Sequence, residues 1–427
     1  LEAIIGGVGG NPDNVGLKAA LNNFAPRLGA VYRWNDKTVL RTGYGITYNP
    51  IPWSRVLRGD NVYPNVLAAT FVNNDAFGYF GTIDQGIPTL SAPDISSGRV
   101  RVPNAATMWT PEVDNVDRSI FHSWNVAFER RLMWDMSVDV AYVGTKTDGG
   151  YAALDINAPT TLGGGNASRP FASMGRTNPI FSFGQRLRNR YHSLQLAVNK
   201  PFTHGLLIKG AYTLGKAMNM SSNDEDGRVT LHWNTPSQIE RNYAVAGFDR
   251  RHNVQVGFLY QLPWKGDDGY GNVFDAVISD WQLNGVFGAF SGSPFNVTAS
   301  GTQLNTPQNL QTADQIGDIK KVGEVGASGL YYDPSAWAQP QGVRFGTSGR
   351  NSVRGPGGVN LDLSIFRSFR LAGSSRLEVR GEATNVTNTP KFGNPNGDVN
   401  STNFMRITGT LNGYDMRQIR LGVRLSF

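Results

Sequence analysis

Eleven segments of this sequence alternate apolar and polar residues with a period of two, the period at which successive side chains of a β-strand point to opposite faces. The last segment shows the pattern most clearly, because every second residue from Ile419 to Phe427 is apolar and the residues between them are polar or glycine. The other ten segments are 25–34, 38–48, 122–132, 136–145, 191–200, 205–215, 253–262, 280–290, 359–369 and 376–386. No long stretch has the 3.6-residue period of an amphipathic helix, so the pattern predicts an all-β chain.

The connections between the segments alternate in length. Within successive pairs they are mostly three or four residues long, as at 35–37, 133–135, 201–204 and 371–374, although the fourth pair has a longer connection. Between pairs they are long and rich in Gly, Pro, Asn, Ser and Asp; these are 49–119, 146–189, 216–250, 291–358 and 387–414. Loops of this length are rare in compact soluble domains. Short turns at one rim and long loops at the other are typical of outer-membrane barrels.

Strand length and aromatic residues favour the same interpretation. Each segment has roughly the 9–11 residues that a tilted strand needs to cross the hydrocarbon layer. Trp34, Trp134 and Trp264 lie in or beside three of the turns, and Phe202 and Phe369 flank the other two, where an interfacial aromatic belt is expected. A soluble antiparallel sandwich or propeller would also alternate, but it would not explain the one-sided loops. We therefore predict a transmembrane antiparallel β-barrel in the outer membrane of a Gram-negative bacterium.

Composition excludes several other classes. The net charge is +7, but the basic residues are spread along the chain and no nucleic-acid-binding motif is present, so no nucleic-acid partner is expected. Cysteine is absent, which excludes disulfides and thiolate metal sites. No run of 18 apolar residues could form a transmembrane helix, and the N-terminal residues do not resemble a signal peptide.

The odd number of predicted strands has a consequence for closure. A closed antiparallel barrel with both termini at one rim is built from whole hairpins and has an even number of strands. If the long loops are extracellular, the first and the last segment both run towards the periplasm. We therefore expect a partial barrel of about eleven strands that forms the C-terminal part of a larger one.

The segments also carry a series of short motifs. They are NFAPRLGAVYR and DKTVLRTGYGITYNP near the start, SWNVAFERRL, VDVAYVGTK, YHSLQL and AYTLGK in the middle, FDRRHNV, YQLPW, WQLNGVF and SGSPF further on, and GRNSVRGPG, EVRGEATNVTNTPKFGNP and RLSF near the end. In this order they resemble the C-terminal half of the barrel of Oar-like TonB-dependent outer-membrane receptors.

The resemblance implies a barrel of about 22 strands around an N-terminal plug, often preceded by a carboxypeptidase-regulatory-like β domain. It also implies a TonB box that contacts the energising TonB protein of the inner membrane. Residues 1–427 match only the C-terminal part of the barrel, and the plug, the TonB box and the extra domain are absent from them. TonB would therefore act through the missing N-terminal region.

Charged residues of the last two segments lie opposite the apolar residues. They are Arg376, Glu378, Arg380 and Glu382 in the tenth segment, and Arg420 and Arg424 in the eleventh. A charge that faces lipid at the bilayer midplane costs about 2–4 kcal/mol, so all six are expected to face the lumen. They could form a polar ladder against which a plug or substrate rests. Alternatively, they could form an ion-pair network in which the charges of these residues neutralise one another.

The loops contain two further candidate sites. Aromatic residues of the first long loop could contact a ligand or pack the loop against its neighbours; they are Trp53, Tyr63, Phe77, Tyr79, Phe80 and Trp109. The acidic stretch Ser221–Gly227 resembles an oxygen-rich calcium site, but the bidentate acid expected five residues after the glycine is absent. We expect a solvated loop there.

No credible catalytic set is present. The five histidines lack metal-binding spacing, and no nucleophile elbow occurs, so we expect a protein that is not an enzyme and has no cofactor. The terminal Phe427 resembles the signal that the outer-membrane barrel-assembly machinery reads. The expected function is that of a TonB-dependent receptor or transporter that moves an unidentified extracellular cargo across the outer membrane. The alternatives are a structural or adhesive outer-membrane barrel and a soluble β-rich binding module.

Overall fold

One large antiparallel sheet dominates the computed structural model, which describes the chain except for positions 19, 50–61, 68–83, 85, 87–88, 105, 107, 116, 223–230, 264–278, 326–328, 372, 412 and 414–415. Eleven strands of the sheet follow one another in chain order, each paired with its neighbours along the chain. They are β1 (Arg27–Asn35), β2 (Thr38–Asn49), β3 (Ser119–Arg131), β4 (Ser137–Asp155), β5 (Ile180–Thr203), β6 (Leu206–Asn219), β7 (His252–Gln261), β8 (Gln282–Phe290), β9 (Gly358–Arg370), β10 (Arg376–Thr384) and β11 (Gln418–Ser426). All eleven predicted strands are confirmed.

The main error of the sequence-based prediction concerns β4 and β5. Both were expected to stop near the edge of the membrane, but β4 continues to Asp155 and β5 begins at Ile180, so their outer parts still pair with each other. The pairing register shifts around Gly150, which breaks the period of two. The outer parts are buried under the loops and no longer have one exposed and one covered face, so their sequence does not alternate.

The sheet has one apolar and one polar face. Residues directly opposite each other on paired strands share a face. One row of such partners crosses nine strands on the apolar face: Tyr32, Leu40, Phe128, Val140, Leu196, Tyr212, Val254, Ala289 and Val359. A row on the opposite face crosses four strands and is polar throughout: Asn284, Ser364, Glu382 and Arg420. The apolar face is open to its surroundings, and Leu421 is 86% exposed.

The outermost strands each pair on one side only. Among the described residues, β1 pairs with β2 alone and β11 with β10 alone, so the sheet does not close on itself. Every residue of β1 is exposed, as are all residues of β11 except Gly422. We call the end of the sheet with the short connections the turn end and the opposite end the loop end. At the turn end Trp34, Trp134 and Phe202 are exposed, whereas Trp264 lies outside the described residues.

Five long segments leave the loop end, and together we call them the loop cap. They are L1 (50–118), L2 (156–179), L3 (220–251), L4 (291–357) and L5 (385–417). Short strands pair within or beside them: Glu2–Ile4 with Arg99–Arg101, Met108–Pro111 with β5, Ala244–Val245 with β6, Pro294–Phe295 with Val353–Arg354, and Asp314–Gln315 with Trp337–Ala338. The short 3-10 helices are Val113–Asn115, Gly165–Ser168, Ala172–Met174, Pro236–Asn242, Thr302–Leu304 and Pro334–Ala336. Over the described part of the chain, no helix has the length and apolar character required to cross a membrane.

Candidate functional site: the polar face, the loop cap and the loop-end margin

Charged residues on the polar face form two ion-pair networks. In the middle of β10, Arg380 lies 2.7 Å from Glu378 and 3.3 Å from Glu382, measured between guanidinium nitrogen and carboxylate oxygen. On β2, Arg41 lies 2.5 Å from Glu129 and 3.1 Å from Asp139 in the same way. Each network places one arginine between two carboxylates. Because the side chains are partly exposed, water screens each pair and weakens its contribution to stability.

The six charged residues predicted from the sequence share one face. Arg424 lies directly across from Glu378, and Arg420 directly across from Glu382. Arg376 lies across from Arg370 on β9 and Ser426 on β11. In the described part of the chain, Arg376, Arg420 and Arg424 have no carboxylate within ion-pair distance. The structure therefore brings three of the six into one network and leaves three arginines beside it.

The buried hydrophobic clusters lie in the loop cap and in the outer parts of β4 and β5. L4 and L5 share the largest cluster, in which Val297 and Trp337 of L4 pack with Met405 and Ile407 of L5. A second cluster joins Leu162 of L2, Trp233 of L3, and Leu304 and Phe345 of L4. A third joins Val102 and Met108 of L1 with Ile180 at the start of β5, and Phe171 of L2 packs against it. The clusters link all five segments, so the loop cap is a packed structure.

Buried arginines hold the segments of the loop cap together. Arg176 of L2 donates to the carbonyl oxygens of Pro103, Asn104 and Ala106 in L1 at 2.8, 3.0 and 2.6 Å. Within L2, Arg169 forms an ion pair with Asp155 at the end of β4 at 3.3 Å, and both side chains are 2% exposed. Charged donors make stronger hydrogen bonds than neutral ones, which suits them to join segments that lack regular pairing.

Two more arginines connect L4 to its neighbours. Arg354 forms an ion pair with Asp249 of L3. Arg350 donates to the side-chain oxygen of Asn219, at the end of β6, at 2.6 Å. Burial lowers the pKa of Arg350 to about 10, so the side chain stays charged at neutral pH. Burial, reinforced by the positive charge of Arg350, lowers the pKa of the nearby His232 to about 4, so this histidine is neutral.

The predicted ligand-contacting aromatic residues are described only in part. The ring of Trp109 stacks on that of Phe181 at 4.9 Å between centroids, which is a packing contact between L1 and β5. Tyr63 is half-buried. Trp53, Phe77, Tyr79 and Phe80 lie outside the described residues, as do positions 223–227 of the acidic stretch. Among the residues that are described, no group of three or more His, Asp or Glu side chains could hold a metal ion.

An open groove lies on the loop cap between L4 and L5. Its volume is about 410 Å³, and Trp337, Gln339, Asn400 and Phe404 contribute to its lining. The rings of Trp337 and Phe404 meet edge to face at 6.1 Å. The groove combines two aromatic side chains with two side-chain amides, a combination that suits contact with a small polar molecule.

Three tyrosine–histidine pairs repeat along the loop end of the apolar face. The hydroxyl groups of Tyr44, Tyr142 and Tyr212 lie 2.8, 2.7 and 2.8 Å from Nδ1 of His122, His192 and His252. In each pair the histidine lies two residues before the residue directly opposite the tyrosine. The pairs join β2 to β3, β4 to β5 and β6 to β7, the three strand pairs connected by L1, L2 and L3. Aromatic side chains with polar tips suit the boundary between an apolar and a polar medium.

Sequence reasoning missed this row, although a signal for it was present. The segments HSW, HSL and HNV begin at His122, His192 and His252, and each starts a run with period two. The spacing of histidines within one segment does not show which tyrosines lie beside them, because each tyrosine is on a neighbouring strand. The buried arginines of the loop cap carry no comparable signal. Arg176 donates to main-chain carbonyl groups that any residue supplies, and the side-chain acceptors of Arg169 and Arg350 lie at the ends of β4 and β6.

The fold defines a class: a two-faced antiparallel sheet with short turns at one end and long loops at the other, typical of the wall of an outer-membrane barrel. The chain belongs to the outer membrane beta barrel domain family, whose model matches residues 2–420. The protein is therefore an outer-membrane protein. No curated protein matches the sequence.

Several solved structures are similar to this chain. The outer membrane transporter YddB from Escherichia coli has 8% identity and a TM-score of 0.47 over 91% of this chain and 38% of its own. BauA, the ferric preacinetobactin receptor from Acinetobacter baumannii, has 10% identity and a TM-score of 0.42 over 93% and 36%. The ferripyoverdine receptor of Pseudomonas aeruginosa has 9% identity and a TM-score of 0.42 over 93% and 32%. This chain thus spans less than two fifths of the length of these structures.

Proposed function

We propose that this chain forms the C-terminal part of the barrel wall of an Oar-like TonB-dependent outer-membrane receptor that moves a cargo across the outer membrane. The apolar face contacts lipid, the polar face lines the lumen, and the loop cap lies on the extracellular side. The observation that carries the proposal is the continuous two-faced sheet whose edge strands β1 and β11 each pair on one side only. Further strands added at these edges would close the barrel.

The charged residues of β10 and β11 have different roles in this proposal. Glu378, Arg380 and Glu382 already satisfy one another, so they maintain a polar lining without needing a partner. Arg376, Arg420 and Arg424 lie beside them on the same face. We assign these three arginines to contact with carboxylate groups of a plug or of the cargo, because a guanidinium group binds a carboxylate through two parallel hydrogen bonds.

The loop cap would make the first contact with the cargo. The groove between L4 and L5 offers Trp337, Phe404, Gln339 and Asn400, and L1 contributes Tyr63 and Trp109 together with the aromatic residues outside the described part. The packed core beneath the groove holds Trp337 and Phe404 in place before binding. Such preorganisation lowers the entropy that binding would otherwise cost.

A structural or adhesive outer-membrane barrel without active transport is the second candidate. A packed loop cap suits adhesion to another surface as well as it suits capture of a small cargo. The two candidates differ in their need for TonB, which would act through a region N-terminal to this chain. Neither requires a catalytic residue or a cofactor.

Binding to TonB tests the proposal. The complete natural protein, purified from outer membranes, is mixed with the purified C-terminal domain of TonB, and binding is measured by surface plasmon resonance. We expect binding that is lost when the TonB box is deleted, and no binding by residues 1–427 alone. Failure of the complete protein to bind would contradict the transporter proposal and favour the structural or adhesive one.

A further inference from the structure

The loop-end margin of the apolar face is basic on β4, β5 and β6. Tyr142 and His192 mark the level at which this face stops being apolar. Lys216 on β6 lies directly across from His192. One step further towards the loop cap, Lys146 on β4 lies directly across from Arg190 on β5, and Arg188 follows on the same face. We call Lys146, Arg188, Arg190 and Lys216 the basic margin.

Among the described residues, two carboxylates pair with these four cations. Asp148 lies 2.6 Å from Lys146 and 3.1 Å from Arg190, and Glu240 of L3 lies 2.5 Å from Arg188. Lys216 is exposed, and no carboxylate of the described residues lies within ion-pair distance of it. The basic margin and its two acids therefore carry a net charge of about +2 at neutral pH.

Two positive charges of the basic margin face each other across paired strands. Like charges directly opposite each other on paired strands destabilise a sheet, and Lys146 faces Arg190 in this way. Asp148 bridges the two but supplies only one negative charge for both. An anionic group at the margin would complete the neutralisation of the patch.

The position of the margin indicates where this anion comes from. Below it the same face is apolar, with Leu194, Leu196 and Val198 along β5. The ring of Trp124 lies 6.0 Å from that of His192, which adds an indole to the tyrosine–histidine row. Tyrosine and tryptophan side chains are enriched at the headgroup level of a membrane. The basic margin thus lies just outside the hydrocarbon layer, at the depth of the lipid phosphates.

On the proposed orientation in which the apolar face contacts lipid, we propose that the basic margin, formed by Lys146, Arg188, Arg190 and Lys216, is a binding site for the phosphate groups of anionic membrane lipids. Lys146 and Lys216 act as point charges towards the phosphate oxygens. Arg188 and Arg190, which hold Glu240 and Asp148, add positive charge beside them. The acyl chains lie along the apolar face of β4 to β6. The site fixes both the depth of the wall in the membrane and the rotation of this part of the barrel relative to the lipids.

Lipid binding by charge variants tests this proposal. The protein purified from outer membranes in a neutral detergent is titrated with phosphatidylglycerol, and bound lipid is counted by native mass spectrometry. A basic residue near a membrane surface contributes about 1 kcal/mol to binding of anionic lipid, which is about fivefold in affinity. We expect Lys216→Gln to weaken phosphatidylglycerol binding about fivefold and Lys146→Gln/Lys216→Gln about 25-fold.

Lys209→Gln is the matched control, because Lys209 lies on the same strand as Lys216 but on the polar face and is also exposed. It should leave phosphatidylglycerol binding unchanged, and wild-type protein should bind phosphatidylcholine more weakly. Equal losses in the Lys209 and Lys216 variants, or equal binding of both lipids, would overturn the proposal. Displacement of phosphatidylglycerol by millimolar inorganic phosphate would also overturn it, since the site would then recognise free anions. Heat-modifiable migration in gels confirms that each variant is folded.

Discussion

The indole ring of Trp124 on β3 lies over Gly144, its direct partner on β4. A Cβ atom built on Gly144 would lie 2.5 Å from both Cζ2 and Nε1 of that ring. A side chain of any size at position 144 would therefore displace the indole from the loop-end row of tyrosine–histidine pairs. Aromatic rings that cover a glycine on a neighbouring strand are a recurrent means of fixing the register of a sheet.

Gly144→Ala is expected to destabilise the protein by about 1–3 kcal/mol, because the ring must move out of a packed position. The denaturant midpoint of the protein in detergent measures this change. Gly257→Ala on β7 is the control, since a Cβ there would meet nothing within 4 Å. Equal stability of the two variants would show that the contact between Trp124 and Gly144 does not constrain the sheet.

The buried ion pair between Asp155 and Arg169 is expected to be essential for the fold of L2. Asp155→Asn leaves the guanidinium group buried without its counter-charge and should cost about 3–5 kcal/mol. Hydrogen exchange of main-chain amides in 156–179 measures the effect. Glu2→Gln removes a carboxylate from an exposed ion pair with Arg99 and should cost less than about 1 kcal/mol. Comparable protection of L2 in both variants would contradict the prediction.

The stability of L3 is expected to fall as the pH falls from about 6.5 to about 4. The pKa of His232 is about 4 in the folded protein and 6.5 in the unfolded chain, so in this window the unfolded state binds more protons. The loss is at most about 1.4 kcal/mol for each pH unit, and it stops below about pH 4.

The opening free energy of L3, from hydrogen exchange corrected for intrinsic rates, measures this dependence at several pH values. His232→Gln should flatten the profile, because the variant side chain does not titrate. His204→Gln is the control, since His204 is exposed in the turn between β5 and β6. A profile that is equally steep with and without His232 would assign the pH dependence to another group.

Cysteine labelling is expected to distinguish the two faces of the sheet in intact outer membranes. Glu382 lies on the polar face of β10, and Leu421 lies at almost the same depth on the apolar face of β11. Because this chain has no cysteine, each introduced thiol is the only one in it. Glu382→Cys should react with a water-soluble maleimide, and Leu421→Cys only with a lipid-soluble one. The reverse result would invert the assignment of lumen and lipid.

Deletion of Phe427 is expected to impair insertion of the protein into the outer membrane. Its side chain is 94% exposed and follows directly after β11, so it contributes little packing whose loss could unfold the protein. The amount of heat-modifiable protein in outer-membrane fractions measures assembly. Phe427→Tyr keeps an aromatic ring and should assemble normally. Full assembly after the deletion would refute a role for Phe427 as a signal for the barrel-assembly machinery.

The wall of the barrel could be predicted from the sequence because strands that cross a membrane alternate regularly between apolar and polar residues. The strands of a membrane barrel alternate between an apolar and a polar face, and Leu421 and Arg420 differ in polarity in this way. The outer parts of β4 and β5 are surrounded by protein on both sides, and their pattern disappears as soon as they leave the membrane. The largest differences between predicted and observed strand ends therefore occur there.

The loop cap could not be predicted in the same way. Its core unites residues far apart in sequence, such as Val297 and Met405, and no periodic pattern in the sequence predicts such contacts. Its polar contacts depend on main-chain carbonyl groups, as at Arg176, which sequence does not distinguish. The candidate lumen residues followed from strand alternation, whereas the tyrosine–histidine row required knowing which strands are neighbours.

The shared core of L4 and L5 has a mechanical consequence for the wall. L4 connects β8 to β9 and L5 connects β10 to β11, so this core joins two connections that lie on either side of the hairpin formed by β9 and β10. If β10 slid by one residue against β9, L5 would move about 3.3 Å relative to L4 and the core would have to open. The core therefore connects adjacent hairpins at the loop end, and it opposes sliding of β10 against β9 in addition to the main-chain hydrogen bonds between these strands.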